Sequence, residues 1–242
     1  MNEPDTSLLL ETRHLEKRFG GVVAVSNVDF RLERGEIRCL IGPNGAGKST
    51  FFKMLSGQIQ PTSGAVMLDG RDLVGREPHE IARRGIGIKN QVPDVMNGLT
   101  VRENLWIAAR AKHPRNSVDA IVKALAERLS LGPILGRLVG ELAHGQRQWV
   151  EIASVIATDP TLILLDEPAA GMTDEETVKT AELIRELNRA ATIVVVEHDM
   201  QFIQQIARKV TVFHQGRVLI EGSFEQIVAN PVVRDVYLGR RA

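Results

Sequence analysis

The 242-residue sequence predicts an α/β fold, and three observations support this prediction. An apolar strand, Ile37–Ile41, leads into a glycine-rich loop and then a helix, an order typical of α/β folds. After residue 158, strands and helices alternate again. Residues 92–157 instead carry apolar residues mainly at helical spacing. We therefore expect one domain, with a helical subdomain (92–157) inserted into an α/β core (1–91 and 158–242).

The N-terminal part is predicted to consist of short strands separated by turns. Residues 8–13 and 28–32 are strand-like, with a Gly-Gly turn at residues 20–21 between them. A helix is predicted at residues 48–57, directly after the glycine-rich loop, and a further strand at residues 65–69.

The rest of the chain is predicted to be helical at first and then alternating. The predicted helices are Val101–Lys112, 118–131, 146–157, 175–189, 200–207 and Phe224–Ala229. The predicted strands are 161–165 and Thr192–Val196, with two more around a turn at residues 215–216.

Composition and charge exclude several classes of function. Lys plus Arg and Asp plus Glu both number 30, so the formal net charge is +0 and gives no electrostatic reason to expect nucleic acid as a partner. Cys39 is the only cysteine, which excludes an intrachain disulfide. Because it lies in the apolar run Ile37–Ile41, we expect its side chain to be a small buried one. Residues 1–7 lack the features of a signal peptide, and no apolar run approaches the ~20 residues that span a bilayer. We expect a cytoplasmic protein that reaches a membrane only through another protein.

The loop after the strand Ile37–Ile41 matches the complete P-loop pattern, G-x-x-x-x-G-K-[ST]. Glycines allow backbone N–H groups to curl around phosphate oxygens, and the helix that begins at Lys48 directs its positive end at the same charge. Lys48 is predicted to neutralise phosphate charge and Ser49 to bind Mg²⁺. A chance match in a glycine-rich turn is the alternative, but the flanking strand and helix disfavour it. The predicted nucleotide contacts here are Gly42, Asn44, Gly45, Gly47, Lys48, Ser49 and Thr50.

Two adjacent acids, Asp166 and Glu167, end the apolar run that begins at Leu162. Ionised carboxylates at the end of a buried strand need a cation or a partner. Asp166 is suited to a Mg²⁺ site, and Glu167 to orienting and deprotonating the attacking water. Taken alone, such a pair is as often a helix N-cap, but its place downstream of a P-loop favours the catalytic interpretation.

The motifs and their order resemble those of ABC ATPases over essentially the whole chain. The resemblance rests on the P-loop, the Leu-Leu-Asp-Glu-Pro run, Gln91, the segment 142–146 and His198. It implies a P-loop NTPase core of the ABC type, with an N-terminal antiparallel β subdomain and an inserted helical subdomain. It further implies an ATP-sandwich dimer, in which each nucleotide lies between the P-loop of one subunit and the signature motif of the other.

Three residues acquire roles only through this resemblance. Gln91 matches the Q-loop glutamine, which senses Mg²⁺ and the attacking water; alone, it would pass for a surface residue. His198 matches the switch histidine at the γ-phosphate; alone, a histidine after a strand is more often a cap. Phe19 matches the aromatic residue that stacks on adenine, with a core position under a hairpin as the alternative.

The signature motif departs from the common Leu-Ser-Gly-Gly-Gln form. Ala143 replaces the serine, so the hydroxyl that would bond phosphate is missing, and His144 replaces the first glycine. Gly145 and Gln146 remain, and the backbone N–H groups at the start of the following helix can still bind phosphate. Our hypothesis is that His144 adds a donor if its side chain points inward.

Softer motifs resemble the ATPase subunits of branched-chain amino acid and urea uptake systems. The D-loop, residues 169–173, has the sequence Ala-Ala-Gly-Met-Thr. The segment 231–239 also resembles the corresponding segment of these subunits. The His-Gly-Gln form of the signature, followed by Gln148 and Trp149, is most similar to the urea-type subunit.

The chain holds one P-loop and one signature motif, so it supplies half of each of two sites and requires a second ATPase subunit, identical or homologous. The resemblance implies transmembrane permease subunits as partners and, indirectly, a periplasmic or extracellular solute-binding protein. The expected function is ATP hydrolysis that powers solute import. The alternatives are a lipid-export ATPase, a soluble ABC protein without a permease, and a module that binds ATP but hardly hydrolyses it.

Apolar residues in the loop 92–97 predict where a permease docks. Val92, Val95 and Met96 would otherwise be out of place in a polar loop beside Gln91, and such a groove can receive a short helix. The alternative is that these side chains pack onto the chain's own helical subdomain.

Overall fold

The structure is a computed structural model and describes residues 7–92 and 94–238. Sequence expectations that rest on residues 1–6, on Pro93 and on Gly239 lie outside the described residues. The described strands are β1 (Leu8–Phe19), β2 (Val22–Glu33), β3 (Ile37–Ile41), β4 (Ser63–Leu68), β5 (Arg71–Asp72), β6 (Ile86–Lys89), β7 (Leu162–Asp166), β8 (Thr192–Val196), β9 (Lys209–His214) and β10 (Arg217–Gly222).

The helices follow the expected order, with a helical stretch between two α/β parts. They are α1 (Lys48–Leu55), α2 (Pro78–Arg83), α3 (Val101–Lys112), α4 (Arg115–Arg128), α5 (His144–Ile156), α6 (Asp174–Leu187), α7 (Met200–Ile206), α8 (Phe224–Ala229) and α9 (Pro231–Leu238), with short 3-10 helices at Gly132–Ile134 and Val139–Glu141. None of the helices in the described ranges combines the length and apolar composition that a bilayer crossing requires.

A four-stranded antiparallel sheet forms the N-terminal part, in the order β2-β1-β4-β5. The two long strands β1 and β2 join through the tight turn at Gly20 and Gly21. This confirms the antiparallel β subdomain. The sheet ends at the exposed hairpin that carries Phe19.

The central six-stranded sheet has the order β10-β9-β3-β8-β7-β6. Strands β9, β3, β8, β7 and β6 are parallel, and β10 returns antiparallel at the edge. Strand β3 is buried on both faces, as expected for a strand inside a parallel sheet. Leu40 faces a core shared with the antiparallel sheet, whereas Cys39 and Ile41 face a core formed with α5, α6 and α7.

A third apolar core lies within the helical stretch. It is built from α3, α4, the 3-10 turns and one side of α5, with Val101, Leu105 and Val122 fully buried. Helix α5 also contributes Ile152 and Val155 to the core beneath the central sheet. The signature helix therefore packs on both the helical stretch and the sheet. The domain boundaries at 91/92 and 157/158 stay a prediction.

The main element that the sequence did not predict is β6. This strand has four residues, including a glycine, and is too short for periodicity to reveal it. It forms because it pairs with β7 in parallel, with Lys89 opposite Leu165. Helices α2 and α9 were also not predicted, and α4 ends at Arg128 rather than residue 131, where Ser130 adopts a positive φ of 54°.

A buried arginine links the two sheets. Arg38 on β3 is 1% exposed. Its guanidinium donates to Glu36 Oε1 at 2.5 Å, Thr211 Oγ1 at 2.9 Å and the carbonyl of Arg31 at 3.0 Å, and also pairs with Glu221. It further lies 4.9 Å from the centre of the Phe30 ring. Because these partners come from β2, from the turn between β2 and β3, and from β9 and β10, the charge fixes how the sheets meet.

We predict that Arg38→Met lowers the free energy of unfolding by about 3 kcal/mol, because it removes the counter-ion of Glu36 and one of the two cations that pair with Glu221, both of them partly buried carboxylates. Urea unfolding followed by circular dichroism measures this. The matched control is Arg13→Met, which removes an exposed arginine that pairs with Glu11 and leaves that carboxylate paired with Arg31, so stability should change by less than about 1 kcal/mol. Equal effects of the two variants would contradict the prediction.

Candidate active site

Four neighbouring parallel strands end at one edge of the central sheet, and each is followed by a predicted functional residue. The P-loop follows β3, His198 follows β8, Glu167 follows β7 and Gln91 follows β6. The carboxyl ends of parallel strands are the usual ligand-binding edge of an open α/β sheet. The sheet therefore collects into one site residues that are far apart in the sequence.

The P-loop wraps the start of α1. Gly47, the residue before the helix, has φ 101°, a backbone conformation that favours glycine. A Cβ at this position would lie 2.5 Å from the carbonyl oxygen of Ala24, so no larger residue fits. The loop thus packs tightly against β2 and presents the free N–H groups of the first turn of α1 to solvent.

Lys48 folds back over the loop that precedes it. Its ammonium donates to the carbonyl of Gly42 at 2.6 Å and to that of Pro43 at 3.1 Å. Partial burial lowers the pKa of Lys48, while the negative charges of Glu167 and Asp166 act to raise it. Of the other predicted contacts in the loop, Gly42 is buried and Thr50 half-buried; Asn44, Gly45 and Ser49 are exposed.

Phe19 lies outside the apolar cores, at the end of β1. Its side chain is 48% exposed, and the ammonium of Lys17 lies 5.1 Å from the centre of its ring. The alternative that Phe19 is a core residue under the hairpin is wrong. The ring is free to stack against a flat partner.

Asp166 and Glu167 differ sharply in environment. Asp166 is 7% exposed, and burial, followed by the charge of Glu167, raises its pKa. Glu167 has φ 47°, a left-handed conformation that costs a non-glycine residue about 1–3 kcal/mol and concentrates at functional sites. The kink directs its carboxylate away from the strand and towards the site.

The carboxylate of Glu167 joins two other predicted residues. Gln91 Nε2 donates to Glu167 Oε2 at 3.0 Å, and His198 Nδ1 lies 3.5 Å from Glu167 Oε1. His198 is 67% exposed at its side chain, so one face of the imidazole remains open. Glu167 therefore lies between Gln91 and His198.

Glu197 is a residue of this site that the sequence did not reveal. It is 2% exposed, and its Oε2 accepts the backbone N–H of His198 at 2.8 Å and of Asp199 at 3.3 Å. Burial raises its pKa. It holds the backbone turn that presents His198, and its position at the end of the apolar strand β8 is the signal that could have marked it.

The signature segment forms the first turn of α5. The side-chain oxygen of Gln146 accepts the N–H of Ala143 at 3.2 Å and so caps the helix. Gly145 is buried, and a Cβ there would lie 2.5 Å from a carboxylate oxygen of Glu176. His144 Nε2 lies 3.0 Å from the carbonyl oxygen of Ala170 and 3.1 Å from Gln148 Nε2. The hypothesis for His144 has its ring donate to phosphate; here the ring contacts the D-loop of its own chain.

Known proteins resemble this chain in sequence and in structure. Residues 25–170 match the family described as ABC transporter. The high-affinity branched-chain amino acid transport ATP-binding protein BraF of Pseudomonas aeruginosa is 36% identical, over 96% of this chain and 98% of that protein. The protein of the same description, LivG, from Escherichia coli strain K12 is 39% identical over the same shares of the two chains.

Solved structures agree. A nucleotide-free ATP-binding cassette from an ABC transporter superposes with a TM-score of 0.87 and 28% identity, over 96% of this chain and 100% of that one. An ADP-bound cassette of an ABC transporter superposes with a TM-score of 0.86 at 28% identity, over 96% of this chain and 99% of that one. The fold class is thereby confirmed, and with it the expected enzymatic class. The chain belongs to the ABC transporter family and is an ATP-hydrolysing cassette of that family.

Proposed function

We propose that this chain powers the import of a branched-chain amino acid by closing, with a second ATPase subunit, around two ATP molecules. The observation that carries the proposal is the convergence of Gln91, Glu167 and His198 beside the P-loop, at one edge of the sheet. The solute class comes from the similarity to BraF and LivG, which bear branched-chain amino acid transport in their names. The urea-type alternative rests on the His-Gly-Gln signature and the Gln148 and Trp149 that follow it.

ATP binding is assigned to the P-loop and Phe19. The exposed phenyl ring stacks on adenine, and the first turn of α1 receives the phosphates on its N–H groups. Lys48 exchanges its two loop carbonyls for phosphate oxygens. The partial burial of Lys48 strengthens this attraction because fewer waters screen it.

Mg²⁺ fits this donor set as a companion of the nucleotide. The Ser49 hydroxyl, the Gln91 amide oxygen and the Asp166 carboxylate are hard oxygen ligands at the phosphate end of the site. In the described part of the chain, no group of three His, Cys, Asp or Glu side chains is arranged to hold a metal alone. A cation that keeps waters and shares phosphate oxygens suits so few protein ligands, and it neutralises phosphate charge.

Hydrolysis is assigned to Glu167. Its carboxylate accepts a proton from the water that attacks the γ-phosphorus, while the bond to the β-phosphate oxygen breaks. Gln91 and His198 hold the carboxylate and contact the same water and phosphate. Positioning and charge stabilisation supply most of the rate enhancement.

The second ATPase subunit completes each site. Residues 143–146 present the N-terminus of α5, and in the dimer this turn binds the γ-phosphate held by the partner's P-loop. Ala143 contributes only its backbone. His144 acts through the D-loop of its own chain, because its ring nitrogen contacts Ala170.

The permease docks beside the Q-loop, which is how a chain of this family reaches the cytoplasmic face of the membrane. Val92 and Met96 are 77% and 53% exposed, whereas Val95 packs on the helical core. The side-chain amide of Asn104 accepts the backbone N–H of Met96 at 2.8 Å and donates to its carbonyl at 3.1 Å. These two bonds hold the backbone of Met96 while the Met96 side chain points outward. An external solute-binding protein delivers the solute to the permease.

Purification of the tagged chain from gently solubilised membranes, with mass spectrometry of what accompanies it, tests the whole proposal. We expect two permease chains and one or two ATPase chains. Uptake of leucine and of urea by cells with and without the chain then separates the two solute classes. Recovery of only soluble partners, or of a lipid exporter, would overturn the import proposal.

The first prediction from this proposal concerns Glu167→Gln. We expect normal ATP binding and a fall in turnover of about 10²–10⁴-fold, because the amide cannot accept the proton of the attacking water. Phosphate release measures turnover, and a fluorescent ATP analogue measures binding. Glu175→Gln, at an exposed acid on α6, is the control. Turnover within a few-fold of the wild type would assign the base elsewhere.

The second prediction concerns His144→Ala. Loss of the contact with Ala170 should lower turnover about fivefold, the equivalent of one hydrogen bond of ~1 kcal/mol, without weakening ATP binding. His113→Ala is the matched control, since His113 also contacts a backbone carbonyl, that of Ala157, outside the site. Unchanged turnover in His144→Ala would show that the D-loop contact is dispensable.

The third prediction concerns Met96→Asp. A carboxylate buried against an apolar permease surface should reduce co-purification of the permease by about tenfold or more, with little effect on ATP binding. Val74→Asp, at an exposed valine in the loop after β5, is the control. Normal assembly and transport with Met96→Asp would place the docking surface elsewhere.

A further inference from the structure

Lys89 is a buried cation that the ATP site does not use directly. It is the last residue of β6 and is 0% exposed. Its ammonium donates to the carbonyl of Asn90 at 2.9 Å and to that of Asp166 at 3.3 Å. It also lies 3.7 Å from Glu151 Oε2.

The two carbonyls that Lys89 binds belong to particular peptide units. The carbonyl of Asn90 is in the peptide that leads into Gln91, and the carbonyl of Asp166 is in the peptide that leads into Glu167. One ammonium therefore fixes the orientation of both peptides. On its far side, the peptide N–H of Glu167 donates to the carbonyl of Val196 at 2.9 Å, so the kink at Glu167 is held from both neighbouring strands.

Glu151 connects this cation to the signature helix. It is 3% exposed on α5, and its Oε1 accepts the backbone N–H of Asp94 in the loop after Gln91 at 3.0 Å. His144, Gln148 and Glu151 are spaced four and three residues apart and so share one face of α5. That face contacts Ala170 of the D-loop at the first helical turn, and Asp94 in the loop after Gln91 at the second.

The approach of α5 to β6 leaves little freedom beside this pair. A Cβ on Gly87 would lie 2.6 Å from Val155 Cγ1, one helical turn beyond Glu151. Helix α5 thus packs directly against β6. A shift of α5 would therefore also displace Lys89 at the end of that strand.

Stability alone does not account for such a pair. Removing two charges from water is costly, and burial acts to lower the pKa of Lys89 and to raise that of Glu151. An apolar pair of similar volume is often at least as stable. The charged pair offers something an apolar pair cannot, which is directed hydrogen bonds to the backbone of the Q-loop and of β7.

We propose that Lys89 is a positioning residue for ATP hydrolysis, which sets the backbone of Gln91 and Glu167 together, and that Glu151 couples it to the signature helix. The pair transmits the position of α5 to the residues around the attacking water. This inference rests on the proposed role of Glu167.

The test compares Lys89→Met, Glu151→Gln and the double variant, each purified in the assembled transporter. Single variants leave one buried charge unpaired, so lower melting temperatures are expected for them. The double variant removes both charges and should melt like the wild type. Its kcat should nevertheless fall about tenfold or more, because small displacements of positioned groups slow the reaction strongly, while its KM for ATP stays within about twofold.

A double variant with wild-type kcat and melting temperature would overturn the proposal, since the pair would then be structural only. If the double variant does not fold, the single variants decide instead. An unchanged kcat in Lys89→Met would overturn the positioning role of Lys89. Glu151→Gln keeps an amide oxygen for the N–H of Asp94, and an unchanged kcat in that variant would overturn the coupling to the signature helix. Lys123→Met is the control, because Lys123 pairs with Glu127 on an exposed face of α4.

The same assembled transporter with Glu167→Gln separates the two levels of inference. If turnover persists in Glu167→Gln, Glu167 is not the base. The double variant still tests Lys89 in that case, because its kcat is compared with that of the wild type. Turnover lost in Glu167→Gln but normal in the double variant refutes the role of Lys89 alone.

Discussion

The parallel register of β3, β8, β7 and β6 is the constraint on which the site depends. Leu40 is paired with Val196, Asp166 with Val196, and Lys89 with Leu165, so the four strands end nearly level. A slip of one residue would turn every side chain of a strand to the opposite face. The two apolar cores that cover the sheet prevent such a slip, and the edge that results brings the P-loop, His198, Glu167 and Gln91 together.

Buried ionisable groups concentrate at this same edge. Lys89, Glu151, Asp166 and Glu197 are all buried, with 7% exposure or less, and lie at or beside the ends of the central strands. Burial lowers the pKa of Lys89 and raises the pKa of each of the three acids, which favours the neutral form of each group. Neighbouring charges partly oppose or add to this effect. Charges of this kind are costly in a purely structural role, and their clustering is typical of functional sites. Here Lys89, Glu151 and Glu197 hold backbone groups of the loops that follow the strands.

The start of the signature helix departs from the common Leu-Ser-Gly-Gly-Gln form of the motif. Alanine at position 143 removes a hydroxyl, and histidine at position 144 adds a ring that contacts Ala170. With Gln148 and Glu151 on the same face, α5 is tied to the D-loop and the Q-loop of its own chain. In the dimer proposed above, the helix that binds the partner's nucleotide is thereby connected to the loop that carries Gln91 in its own chain.

The sequence by itself determined the fold class, the P-loop, the acid pair and the order of the motifs, because each depends on local spacing and residue type. Gln91, His198 and Phe19 followed from resemblance, since a lone polar or aromatic residue carries little local information. Only the tertiary structure decided that β6 exists, that His144 contacts the D-loop, and that Glu197 and Lys89 are buried beside the site. Those features arise from pairing and packing between segments distant in the chain, and no local pattern encodes them.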